Sequence, residues 1–150
     1  MSAMFAHEWL GYAYEQKRMH REAIAEWGKA LTLSGEGEQA SLLDGHSTAA
    51  SGFDSAVRAL WRKKLEQLNE RTKHGDYVAP EKYATAYARI GDKEQALAWV
   101  GRSLQERNGF WGYVKDNPIF DSLRDDPRFK MLLQSVVFKP MNFSKAANSA

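Results

Sequence analysis

Residues 77 to 107 constrain this chain more than any other stretch, because they spell two helices joined by one turn. Pro80 suits a first helical turn, where its missing N–H would have no intrahelical partner. Tyr83, Ala84, Tyr87, Ala88 and Ile90 follow at spacings of three and four, one face of a helix. Gly91 is suited to the left-handed conformation that closes a helix. Asp92, with Gln95 three residues on, has the form of a capping box. Ala96, Leu97, Val100 and Leu104 make the second stripe. Neither helix buries its stripe alone, so the segment predicts an αα-hairpin that needs a neighbour.

The neighbours are similar segments. Met4 to about Gln16 is apolar over most of a helical surface (Phe5, Trp9, Leu10, Tyr12, Ala13, Tyr14), and Arg21 to Leu33 carries Ala23, Ile24, Trp27, Ala30 and Leu31 on one stripe. Ser34 to Gly37 ends that pair. Glu38 to Ala50 is weakly patterned, and Ser51-Gly52 reads as a break before a long helix from Phe53 to about Lys73. The outer face of that helix, with Lys64, Glu66, Glu70 and Arg71, mixes both charge signs and reads as solvated.

After Asn108-Gly109, the apolar run Phe110 to Val114 is too greasy for a free linker. Asn117-Pro118 and Asp126-Pro127 each set a capping residue before proline, predicting a short helix over 119–124 and another over 128–137. In the latter, Phe129, Leu132, Leu133 and Val136 share a face. Asp121, Asp125 and Asp126 read as anions favoured at helix N-termini rather than as catalytic or cation-binding carboxylates, with Arg124 and Arg128 as their partners. Residues 138–150 show no pattern and read as a loose tail.

Three hairpins of this kind resemble tetratricopeptide repeats. The first carries Leu10-Gly11-x2-Tyr14, then Ala23-x3-Trp27, then Ala30; the third carries Tyr83-Ala84-x2-Tyr87, Ala96, Val100 and Ser103. The second is degenerate, with Ala56 and Leu60 fitting. The C-terminal piece is similar to the segment that closes such arrays in multidomain bacterial regulators. The resemblance implies an all-α fold: an antiparallel helix-hairpin solenoid of three repeats (4–35, 38–73, 77–107) with a helical cap (110–137), together one domain over 4–137. Small residues at Ala23, Ala56 and Ala96 are expected where paired helices approach closely.

The resemblance also implies the mode of action, a non-catalytic scaffold or adaptor whose concave face binds a peptide or partner domain. Residues placed on that face are Glu8, Tyr12, Glu15 and Gln16 in the first repeat and Ser41, Gly45 and Thr48 in the second. In the third they are Val78, Glu81, Lys82, Thr85 and Arg89. Glu8 and Tyr12 stand where the family's carboxylate clamp has basic or amide side chains, so capture of chaperone tails is not expected.

Composition narrows the alternatives. Twenty-one Lys plus Arg against 19 Asp plus Glu give +2, which predicts no pull on nucleic acid or membrane. No apolar run approaches a membrane span, and Met1 to His7 has no leader pattern, so a soluble chain is expected, with the cytoplasm favoured. The absence of Cys removes disulfides and thiolate metal sites. His7, His20, His46 and His74 lack metal-ligand spacing, and there is no nucleophile–base–orienter set, so neither enzyme, metal site nor cofactor is expected. The five Trp are expected in cores, with Trp99 either on the next hairpin or exposed. Two rival readings stay open: a small-molecule sensor or enzyme accessory domain with a pocket at Phe110, Trp111 and Tyr113, and a self-association module built on exposed aromatics.

Overall fold

The computed structural model describes residues 2–43, 50–106 and 110–137, and these are helical throughout, with no strand among them. In chain order the helices are α1 (Ala3–Gln16), α2 (His20–Leu33), α3 (Gly37–Leu43), α4 (Ala50–Lys73), α5 (Pro80–Ile90), α6 (Lys93–Gln105), α7 (Phe110–Asp116), a 3₁₀ helix (Pro118–Leu123) and α8 (Pro127–Val137). Each of the first six packs on its successor in sequence. The tail beyond 137 lies outside the described residues.

One local device punctuates the chain. α1, α2, α4 and α5 are each followed by a left-handed residue: Arg18, Gly35, Gly75 and Gly91. The next N–H then reaches back five residues, Met19 to Tyr14 O (2.9 Å), Glu36 to Leu31 O (2.8 Å), Asp76 to Arg71 O and Asp92 to Tyr87 O (both 3.0 Å). That bond satisfies a helix-end carbonyl and turns the chain back on itself. Capping side chains start the elements that follow: Asp92 accepts from Gln95 N, Asn117 from Ile119 N and Asp126 from Arg128 N. The expected short helix over 119–124 is a 3₁₀ turn one residue earlier, pinned by Arg124, which donates to the carbonyls of Lys115 and Asn117.

Ser51-Gly52 is not a break: both lie in the first turn of α4. The N–H groups of a first turn have no intrahelical partner in any case, so poor helix formers cost little there, and the buried Phe53 anchors the turn.

Two apolar cores result. Ala23, Trp27, Leu31, Leu43, Phe53 and Ala56 centre the N-terminal one; Ala84, Ala96, Val100, Phe120, Leu123 and Phe129 centre the other. Ala23, Ala56 and Ala96 are wholly buried, as their size predicts for close helix contacts. The tightest approach is at Gly11, where an added Cβ would lie 2.4 Å from the Trp27 indole. Gly11→Ala is therefore expected to cost about 1–3 kcal/mol by forcing the indole aside, read as a lowered midpoint in urea.

Expectations for the tryptophans divide. Trp27 is buried, but Trp9 is exposed, because no described helix covers that side of α1. Trp99 stacks on Tyr83 of its own hairpin (centroids 4.3 Å apart).

α8 is fastened to α6 by Arg128, which grips Glu94 (2.8 Å twice) and Asp126 (2.9 and 3.1 Å). The guanidinium holds Asp126 down at about 2 and lowers Glu94 as well. Both folded values lie below the unfolded ones of about 4. The clasp thus stabilises fully above that range and is lost as pH falls through the folded values. Arg128→Ala should lower the melting temperature at neutral pH and have a clearly smaller effect near pH 2, where Asp126 is about half protonated, as followed by circular dichroism.

Candidate partner-binding groove

Glu8 and Tyr12 lie one turn apart on α1, and Glu81, Lys82 and Thr85 occupy the start of α5. These five, which the resemblance places on one face, line a single cleft of about 500 Å³. Its other wall is α4, which contributes Trp61, Lys64, Leu68 and Arg71. The cleft shares Glu8, Tyr12, Glu36, Trp61 and Lys64 with a smaller hollow of about 60 Å³, whose lining adds Met4, Trp27, Leu31 and Leu60 together with Ser34.

Glu15, Gln16, Ser41, Val78 and Arg89, also expected on that face, do not line the cleft. Gln16 is exposed at the end of α1 and does not line it. Arg89 is buried, its side chain only 8% exposed, so it is no free surface cation. It donates twice to Glu15 of α1, at 2.6 and 2.9 Å. Its guanidinium also lies 5.1 Å from the Tyr12 ring centre, 5.7 Å from Trp27 and 6.0 Å from Trp61. Burial works against the charge, but the Glu15 carboxylate outweighs it and raises the pKa above the usual arginine value. The Nε–H has no acceptor among the described residues, so the cation–π contacts and the carboxylate carry the site. Arg89 thus ties α5 to α1 with Glu15 as its counter-ion, and the pair lines a separate hollow of about 510 Å³, with Phe53, Asp54 and Arg58, and not the cleft.

A second tie runs from the same helix: the Tyr83 hydroxyl meets Thr72 Oγ1 at 2.7 Å and donates to Leu68 O at 3.1 Å, fixing α5 against α4. Together they set the width of the cleft.

Of the remaining face residues, Ser41 is exposed and bonds back to Gly37 O, Val78 is half-buried, and Gly45 and Thr48 lie outside the described residues. The side chains of Phe110, Trp111 and Tyr113, on which the pocket reading turns, also lie outside them.

The α4 wall is absent from the sequence-based face, since Trp61 was assigned to the core stripe and Lys64 and Arg71 to a solvated surface. Positions 61, 64, 68 and 71 follow the helical repeat, and that stripe is the signal pointing to one shared face. Lys64 lies over the Trp61 ring, 5.1 Å from its centre.

Electrostatically the cleft is mixed. Glu8, Glu36 and Glu81 face Lys64, Arg71 and Lys82, so no single sign dominates. No group of three or more potential metal ligands occurs among the described residues, and no described helix is long and apolar enough to cross a membrane. No family model, curated protein or solved structure matches the chain.

Proposed function

We propose that this chain is a protein-interaction module of tetratricopeptide-like build, a short solenoid of helical hairpins, and that the cleft between α1, α4 and α5 takes a peptide segment of a partner protein. The observation that carries the reading is the convergence of Glu8, Tyr12, Glu81, Lys82 and Thr85, far apart in sequence, on one cleft floored by aromatic rings. The small hollow, with Met4, Leu31 and Leu60 beside Glu8, Glu36 and Lys64, suits one side chain of the ligand, and the charged rim suits its flanking polar residues. The groups present position a ligand and supply no nucleophile with its base, so the reading is binding without catalysis.

A phage-displayed random peptide library selected on the folded chain tests it. Selected peptides should bind the parent and lose about 10- to 100-fold affinity to the combined Glu81→Ala, Lys82→Ala and Thr85→Ala variant, since each lost polar contact is worth about 1 kcal/mol. Undiminished binding would move the site to another face. Arg89 is left intact in that variant because its loss would disturb the fold.

A further inference from the structure

The first and third hairpins share one register. Gly11 and Ala84, Ala23 and Ala96, and Trp27 and Val100 are equivalent pairs, each buried and each separated by the same 73 positions (11 to 84, 23 to 96, 27 to 100). In that register Leu10 corresponds to Tyr83 and Ala13 to Ala86. Tyr83 is 5% exposed and Ala86 is fully buried, with the Tyr83 hydroxyl held by α4. Their counterparts on α1 are open: Leu10 is 42% exposed, and Ala13 is also exposed. Phe5 (47%) adds to this bare side of α1, and Trp9 (59%), whose counterpart Lys82 is likewise exposed, stands at its edge with its ring against Tyr12 of the groove (centroids 6.0 Å apart).

From this mismatch we infer that the outer face of α1 is a second docking site, separate from the groove, and that its occupant is one amphipathic helix of a partner protein, lying on α1 as α4 lies on α5. A single helix fits the area. Two large aromatics and a leucine, each about half exposed, offer roughly 300 Å², well below the roughly 800 Å² per partner of a stable dimer.

Charge sets the direction. α4 leads into α5 through a tight turn, so the covering helix runs antiparallel to the one it covers, and its first turn falls beside the end of α1. There Lys17 and Arg18 are exposed, with no ion pair among the described residues. An occupant with Asp or Glu in its first turn meets these cations, and the same anions favour its own helix. A second copy of α1 does not meet this requirement, because the first turn of α1 holds no acidic residue.

The test uses the full chain and two labelled synthetic amphipathic helices, identical in their leucine stripe. One has Glu in the first turn and the other has Lys there. By fluorescence anisotropy the Glu peptide should bind about tenfold tighter than its twin. The Phe5→Gln/Leu10→Gln variant should abolish binding, and Lys17→Glu/Arg18→Glu should invert the preference. Should the glutamine variant lose its helical signal, Ala13→Glu on the same exposed stripe replaces it. The Lys82→Ala groove variant should leave binding of this peptide unchanged, which separates this inference from the reading of the groove. No binding, equal binding of the twins, or insensitivity to the α1 variants would overturn it. So would a dimer in sedimentation that the α1 variants dissociate.

Discussion

Ala96→Arg is expected to destroy the C-terminal core, lowering stability by about 4 kcal/mol or more. Ala96 has no exposed surface and sits among Ala84, Leu97, Val100 and Phe120. An arginine there must either leave its charge unpaired in an apolar core or push α5 and α6 apart, and each alternative is among the few single changes that cost this much. The matched control is Ala98→Arg, two residues on and exposed, which should unfold within about 0.5 kcal/mol of the parent. Urea denaturation followed by circular dichroism distinguishes them. Equal midpoints for the two variants would show that α5 and α6 do not close on Ala96.

Removing Arg89 is the second large effect. Arg89→Ala leaves the Glu15 carboxylate, only 18% exposed, without its counter-ion and empties the space between three aromatic rings. Breaking a buried pair from one side costs about 3–5 kcal/mol, and the partial exposure of Glu15 places the expected loss near the lower end. Restoring neutrality should recover part of it: the double variant Arg89→Met/Glu15→Leu is expected to be more stable than Arg89→Met alone. A double-mutant cycle measures the coupling directly. Additive costs in that cycle would mean that the two side chains do not depend on one another.

How much of this was legible in the sequence follows the reach of each signal. The α5–α6 hairpin, its Gly91 turn and its Asp92 cap are local matters of a few residues, and they read correctly. The three alanine anchors are local too, because only small side chains at helical spacing allow close approach. Arg89 did not read correctly. On its own helix it looks like an ordinary surface cation, and the partner that buries it lies 74 residues earlier. The groove was half legible. α1 and α5 carry their lining residues at positions the resemblance marks out, whereas the α4 stripe of 61, 64, 68 and 71 divides between apolar residues that read as core and cations that read as solvated surface. Trp9 misleads for the reverse reason: its side of α1 has the pattern of a core face, but no described helix covers it.

The tie between α1 and α5 also bears on the order in which the molecule assembles. Each hairpin closes over a short loop and is therefore quick to form. The Arg89–Glu15 bridge spans most of the described chain and must wait until both helices already stand in place. A bond made after the barrier acts as a latch: its loss is expected to leave refolding nearly unaltered and to hasten escape from the native state. The lifetime of this protein therefore rests on a single guanidinium more than its speed of folding does.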